Sequence, residues 1–274
     1  MSLFVSRPDR FFLLAGPCAI EGAEVLDQTA TVLVDVCRRL EIPLVFKSSF
    51  RKANRTALSS FTGIGDEEAL SLLATTGRDH GVPTITDIHA DEDAALAARY
   101  VDALQIPAFL CRQTSLLLAA GATGLPVNIK KGQFLGPEAM KFAAEKVASV
   151  HGSEVWLTER GTTFGYQDLV VDYRSIPIMR STGHRVVMDC THSLQQPNQS
   201  SGVTGGRPAL IETIARAAIA TGADGLFIET HPDPSSALSD GANMLPLNEI
   251  EPLLTRLVHL KEAVAHLDAA PVNP

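Results

Sequence analysis

Short apolar runs recur along this chain, and each closes on a charged, polar or cysteine residue. Eight of them read as strands: Phe11–Gly16, Pro43–Ser49, Pro83–Ile88, Ala103–Pro107, Pro126–Lys131, Val155–Arg160, Arg185–His192 and Gly225–His231. Their interiors are almost continuously apolar, as in Leu44-Val45-Phe46 and Val186-Val187-Met188, which is the pattern of strands covered on both faces. Between them the hydrophobic period lengthens to that of a helix. Val25–Leu40 carries Leu26, Leu33 and Val36 at helical spacings. Asp91–Tyr100 is alanine-rich and opens with acids, which suit the positive end of a helix dipole. Pro137–Val150 opens on Pro137 and Glu138, a favourable first turn. Pro208–Thr221 and Asn248–Leu267 are further apolar-patterned helices. Strand and helix in regular alternation predict parallel strands joined by crossover helices.

Two architectures meet that description, an open doubly wound sheet and a closed barrel. No G-x-G-x-x-G follows the first strand, which removes the usual mark of the open form. Eight units within 274 residues favour closure. The expectation is an α/β chain folded as a single (β/α)8 TIM barrel over residues 1–274. No low-complexity linker interrupts it. The loosest stretch is Gln196–Arg207, whose Gly and Ser content suits a mobile loop over the barrel mouth.

Closure brings every strand's C-terminal end to one rim, where such barrels place their chemistry. The residues at or just beyond those ends are Cys18, Lys47, Asp87, Gln105, Lys130, Arg160, His192 and Glu229. Strands seven, eight and one are neighbours in a closed barrel. Cys18, His192, Glu229 and, from the following loop, Asp240 therefore share one arc. A thiolate, an imidazole and two carboxylates suit a divalent metal with open positions, and zinc, iron, manganese and cobalt all accept such mixed donors. Any one of these residues alone reads more simply as core or surface; the four together favour the metal.

A basic set clusters at the ends of strands two, five and six. Lys47, Lys130 and Arg160 directly follow buried strand residues, Lys52 and Arg55 lie beyond strand two, and Arg112 follows strand four. Such cations suit phosphate or carboxylate groups, so a multiply charged anion, or two of them, is expected. Lys131 reads instead as solvated surface. The run Lys52-Ala53-Asn54-Arg55-Thr56 is either a donor-rich binding loop or a connection ending in a helix cap at Thr56. Asp87 suits substrate hydroxyls or proton relay, because Asp91 is the better cap for the next helix. His89 and His184 read as structural, His231 either as structural or as a support for its neighbour Glu229, and Cys37, Cys111 and Cys190 as packing.

Composition narrows the partners. The net charge of −8 argues against nucleic acid, which calls for a broadly basic face. No apolar run is long enough to span a bilayer, and Met1–Phe12 lacks the apolar core of a signal peptide. The four cysteines form no C-x-x-C pair, which suits a reducing cytoplasm better than a disulfide framework.

Several longer segments resemble a known family. They are Ala15-Gly16-Pro17-Cys18-Ala19-Ile20-Glu21, Phe46-Lys47-Ser48-Ser49-Phe50, Lys52-Ala53-Asn54-Arg55, Gln105 to Thr114, Val127 to Gln133, Leu157 to Gly165 and Glu229-Thr230-His231-Pro232. In order and over most of the chain they resemble the 3-deoxy-D-manno-octulosonate 8-phosphate synthase family, in its metal-dependent branch. The resemblance implies condensation of phosphoenolpyruvate with D-arabinose 5-phosphate and water, releasing phosphate, on the route to the lipopolysaccharide inner core. It implies that Lys52, Lys130 and Arg160, helped by Lys47 and Gln105, hold phosphoenolpyruvate. Asn54, Arg55, Thr56 and Asp87 then bind the sugar phosphate, and Cys18, His192, Glu229 and Asp240 fall on the metal-ligand positions. The reacting groups would lie against Lys52, Asn54, Asp87, His192 and Cys18. Arg112 is expected to reach the sugar phosphate of a neighbouring subunit in a homotetramer. Metal-independent members carry asparagine in place of Cys18.

The aromatic-pathway synthases, which use erythrose 4-phosphate and typically show Lys-Pro-Arg-Thr at the second loop, remain the alternative on the same fold. A phosphosugar-binding barrel without turnover is the alternative from another class. Ala57, the turn Thr62-Gly63-Ile64-Gly65 and the Gln196–Arg207 loop depart from the family pattern.

Overall fold

A computed structural model describes residues 3, 7–54, 60–166, 168–196 and 205–269. Eight parallel strands form its centre: β1 (Phe12–Gly16), β2 (Leu44–Lys47), β3 (Thr84–Asp87), β4 (Ala103–Ile106), β5 (Val127–Lys130), β6 (Val155–Glu159), β7 (Arg185–Asp189) and β8 (Gly225–His231). Each pairs with the next, and β8 returns to β1 with Phe12 opposite Gly225 and Gly16 opposite Glu229. The closed (β/α)8 barrel follows, as the alternation of strand and helix predicts. At Gly16 an added Cβ would lie 2.0 Å from the Lys47 carbonyl oxygen, so the ends of β1 and β2 can approach only through glycine.

The surrounding helices are α1 (Ala23–Arg39), α2 (Asp66–His80), α3 (Asp91–Ala97), α4 (Thr114–Ala122), α5 (Met140–His151), α6 (Ser175–Arg180), α7 (Ile211–Ala220) and α8 (Ile250–Ala269). The hydrophobic pattern does not single out α2, α4 or α6. Helix α4 (TSLLLAAGA) is apolar on most sides and α6 has six residues, so neither displays a clear period. Helix α2 does carry end signals: Asp66, Glu67 and Glu68 in its first turn and Gly81 in a left-handed C-cap at φ 63°. The three segments expected from Pro137, Pro208 and Asn248 each begin as short 3-10 turns, at Pro137–Ala139, Pro208–Leu210 and Leu247–Glu249. For α3, the Asp93 carboxylate accepts the backbone N–H groups of His89 and Ala90, so Asp93 caps this helix rather than Asp91.

Alternation along the strands turns every second residue inward, and successive inward positions build the barrel interior in layers, a floor beneath a mouth. Phe12, Leu14, Val45, Ile85, Ala103, Trp156, Val187 and Phe227 form an apolar cluster separate from the larger one between strands and helices. The Phe12 and Trp156 rings sit 5.4 Å apart at its centre. Two residues further on, Val45 gives way to Lys47, Ile85 to Asp87, Ala103 to Gln105, Val187 to Asp189 and Phe227 to Glu229. The polar mouth therefore rests on a sealed hydrophobic base.

Strand seven is shorter than its apolar run suggests. It ends at Asp189, whose Oδ1 accepts the N–H groups of Thr191 and His192 at 3.1 and 2.8 Å and turns the chain into the 3-10 segment His192–Leu194. His192 is thus a turn residue and does not end the strand. Beyond the barrel ends, Thr162–Phe164 pairs with Asp168–Val170, and Gln195–Gln196 with Gly205–Gly206. The stretch 197–204 of the loop expected over the mouth lies outside the described residues.

Candidate active site

The strand ends open into one cleft lined by Lys47, Ser49, Arg51, Lys52, Asn54, Asp87, His89, Lys130, Arg160, His192, Gln195, Glu229 and Asp240, with Pro107, Ala108 and Phe109 at one side. Strand alternation aims the first turn of each loop inward, which is why residues from all parts of the chain meet here.

One corner gathers potential metal donors. The Cys18 sulfur and carboxylate oxygens of Glu229 and Asp240 all lie within 4.8 Å of one another. Cys18 donates to Asp240 Oδ2 at 3.4 Å. His192 flanks the group, with Nε2 3.5 Å from Glu229 Oε2 and Nδ1 2.9 Å from Asp189 Oδ2. Holding Nδ1 against a carboxylate leaves Nε2 as the outward-facing nitrogen, the usual arrangement behind a ligating histidine. Glu229 Oε2 is buried and accepts no hydrogen bond. Burial, then the Glu229 charge, pushes the Cys18 thiol far up, and the Lys52 ammonium pulls the other way. Lys52 lies 3.1 Å from the Cys18 sulfur and 3.0 Å from Asp240 Oδ2. Despite burial, Lys52 and His192 hold the Asp240 carboxyl down at about 2.

Cations line the rest of the cleft. Lys47 donates to Glu229 Oε1 at 2.7 Å and to the Cys18 carbonyl at 3.1 Å. Burial opposes its charge, but Glu229 and Asp87 outweigh that and raise its pKa. Lys130 donates to Asp189 Oδ2 at 2.7 Å, with Nζ 3.6 Å from the centre of the Phe227 ring. Arg160 is 5% exposed and donates from Nη2 to Gln195 Oε1 at 3.2 Å. Its Nε and Nη1 are buried with no partner, and burial lowers its pKa. Two unpaired guanidinium nitrogens in a cleft are costly unless an anion meets them.

A polar belt crosses the mouth beneath these groups. Asp87 accepts from Ser49 and from Gln105 Nε2; Gln105 Oε1 accepts from Asn128 at 2.8 Å; Asn128 Oδ1 accepts from Thr158 at 2.6 Å. Burial works against the Asp87 charge, yet Lys47 and Lys130 hold its carboxyl well below the usual range.

Of the residues singled out from sequence, Cys18, Lys47, Lys52, Asn54, Asp87, Gln105, Lys130, Arg160, His192, Glu229 and Asp240 gather at this end of the barrel. Arg55 and Thr56, with Ala57, fall outside the described residues. Arg112 is exposed and lines a second hollow with Cys111, Leu135, Ala139, Phe142, Ala143 and Lys146, away from the mouth. Lys131 is no surface lysine: it is fully buried, 3.3 Å from Glu159 Oε1. Sequence reasoning also passed over Asp189 and Arg51. Asp189 repeats the signal that marks Asp87, an acid closing an apolar strand. Arg51 sits in the same donor-rich run as Lys52 and binds both Asp93 oxygens at 2.7 Å.

Comparison with known proteins finds relatives along nearly the whole chain. The sequence model of the DAHP synthetase I family matches residues 4–266. A protein of Acidithiobacillus ferrooxidans named 2-dehydro-3-deoxyphosphooctonate aldolase is 49% identical over 258 residues, 94% of this chain and 92% of the relative. Proteins of the same name from Trichlorobacter lovleyi and Rhizobium meliloti are 50% and 51% identical over 252 and 253 residues. These cover 92% of this chain in each case, and 93% and 90% of the relatives.

Proposed function

The chain belongs to the DAHP synthetase I family, and on that premise we propose that its barrel mouth condenses phosphoenolpyruvate with D-arabinose 5-phosphate and water. The products are 3-deoxy-D-manno-octulosonate 8-phosphate and inorganic phosphate, so the enzyme is a 3-deoxy-8-phosphooctulonate synthase, a transferase serving lipopolysaccharide core synthesis. The observation that carries this is the buried Arg160 guanidinium, whose Nε and Nη1 have no partner, in the same cleft as Lys130, in a chain about half identical to proteins named for that eight-carbon product.

Lys130, Arg160 and Lys52, with Lys47 and Gln105, neutralise and orient the carboxylate and phosphate of phosphoenolpyruvate. Asn54, Arg55, Thr56 and Asp87 hold the linear sugar phosphate, with Asp87 kept ionised to accept its hydroxyl protons. With the two substrates face to face, C3 of phosphoenolpyruvate bonds to the aldehyde carbon and water adds at C2. The hemiketal phosphate then loses phosphate by C–O cleavage. Fixing both reactants at close range supplies much of the acceleration, and the apolar floor keeps bulk water out from below.

Cys18, His192, Glu229 and Asp240 fit a divalent metal. The donor set is of the right mixed kind, Glu229 Oε2 is an orphaned buried oxygen, and Asp189 fixes His192 with Nε2 outward. When bound there, zinc, iron, manganese or cobalt would supply Lewis-acid polarisation of an oxygen. Lys52 touches both Cys18 and Asp240, so its positive charge joins the metal corner to the phosphoenolpyruvate subsite.

The assembly proposed is a homotetramer. In its support, Phe109, Phe134 and Phe142 are 58%, 55% and 63% exposed, and Phe142 lines the hollow beside Arg112, a side chain suited to a neighbour's sugar phosphate. The free cysteines, all buried, suit the cytoplasm, and no described helix is long and apolar enough to cross a membrane. Substrate choice tests the reading: kcat/KM for arabinose 5-phosphate should exceed that for erythrose 4-phosphate by at least about 100-fold. Preference for the four-carbon sugar would assign the chain to the aromatic-pathway activity, and binding without phosphate release to a sensor.

A further inference from the structure

Behind the mouth, on the outer face of the barrel wall, lies an ion pair that the reaction described above does not use. Lys130 is in register with Thr158 across β5 and β6, which brings Lys131 and Glu159 level with each other on the opposite face. Lys131 is 0% and Glu159 1% exposed, and Nζ lies 3.3 Å from Oε1. Apolar neighbours on the same face, Ile129 and Leu157, belong to the layer beneath the helices. A buried ion pair in such a layer is seldom more stable than apolar residues of equal volume, so stability alone does not account for it.

Its contacts point to another role. Glu159 Oε1 accepts the backbone N–H groups of Arg160 at 2.9 Å and Gly161 at 2.7 Å. Lys131 Nζ donates to the carbonyls of Gly132, Leu135 and Gly161 and to Thr162 Oγ1, all at 3.3 to 3.4 Å. The pair thereby ties the loop after β5 to the loop after β6. Gly161 has φ 87°, so the chain turns sharply just where Arg160 leaves the strand. Within the cleft the Arg160 side chain is held through Nη2 by Gln195, while Nε and Nη1 have no partner. The aim of its guanidinium is therefore set from the backbone. Lys131 adjoins Lys130 in sequence, and Glu159 adjoins Arg160.

We propose that Lys131 and Glu159 are positioning residues that fix the spacing of Lys130 and Arg160, and so set the affinity for phosphoenolpyruvate; this rests on the reading that those two cations hold that substrate. Neither residue touches substrate. They act through the main chain of their neighbours, as a rigid frame behind a binding site does.

The test uses steady-state kinetics of the full-length, metal-replete enzyme. Lys131→Met is expected to raise the KM for phosphoenolpyruvate about 10- to 100-fold, with the arabinose 5-phosphate KM and kcat changing by less than about threefold. Glu159→Gln keeps an acceptor for the two amides and should move the same constant less. The double variant Lys131→Met/Glu159→Gln leaves no unpaired buried charge and keeps an acceptor for the two backbone amides. It should melt near the wild-type temperature while its phosphoenolpyruvate KM stays raised, an outcome that a purely structural role does not give. A double variant with wild-type phosphoenolpyruvate KM, or KM values for both substrates rising together, would overturn the proposal. Arg160→Ala separates the two layers of the argument. If it impairs phosphoenolpyruvate use while the double variant does not, the positioning role alone fails; if it has no effect, the substrate assignment beneath the proposal fails with it.

Discussion

Replacing Asp189 by Asn perturbs one atom at the junction of both subsites. Asp189 is fully buried; its Oδ2 accepts from Lys130 Nζ at 2.7 Å and from His192 Nδ1 at 2.9 Å, while Oδ1 accepts two backbone N–H groups. In Asp189→Asn the amide oxygen can keep the backbone pair. Its NH2 then faces two donors, and Lys130 loses its buried counter-charge. Breaking a buried pair from one side costs about 3 kcal/mol or somewhat more, a sizeable part of the roughly 5–15 kcal/mol that holds a domain together. At about 2–4 °C per kcal/mol for a chain of this size, the midpoint should fall about 6–12 °C. Melting in the presence of chelator keeps metal linkage out of the comparison. His192, no longer held at Nδ1, also loses its fixed tautomer, so metal affinity should fall about 10- to 100-fold in a competition assay against a chromogenic chelator. Lys130→Met combined with Asp189→Asn removes the unpaired ammonium and should recover at least half the lost stability. A single variant melting within about 2 °C of wild type, with unaltered metal affinity, would refute the reasoning.

Three further predictions follow from the same geometry. Cys18→Asn should strip tight metal binding, read as metal content after desalting; full retention would remove Cys18 as a principal ligand. Arg160→Ala deletes two buried nitrogens available to an anion, about 3 kcal/mol of charge-assisted bonding. Its kcat/KM for phosphoenolpyruvate should therefore drop about 100-fold, and an unchanged value would take Arg160 out of the site. Trp156→Ala opens the barrel floor and should cost about 3–5 kcal/mol in denaturant unfolding; a loss below about 1 kcal/mol would mean the floor is not close-packed.

The strands were legible because burial on both faces leaves uninterrupted apolar runs, and all eight appear where those runs lie. Helices without a one-sided period were not. Helix α4 is too uniformly apolar and α6 too short to show one. Ends were less readable than interiors: Asp189 turns the chain three residues before His192 by accepting two backbone amides, a local bond that hydropathy does not register. The inward-facing cations and acids could be found from their position after apolar strands. Lys131 could not, since a lysine just past a strand looks the same whether it meets solvent or a buried glutamate. Its partner comes from the adjacent strand, and only the register of β5 on β6 brings Glu159 to it. Asp189 carries a usable signal, the same strand-closing acid as Asp87, but in sequence it is hidden inside a run that reads as continuing to His192.

The most direct test of the account is phosphate release from phosphoenolpyruvate and arabinose 5-phosphate by chelator-stripped protein, before and after divalent metal is restored. Activity should disappear on stripping and return with metal. Full activity in the stripped enzyme would contradict the role assigned to Cys18, His192, Glu229 and Asp240, and no activity in either state would contradict the condensation itself.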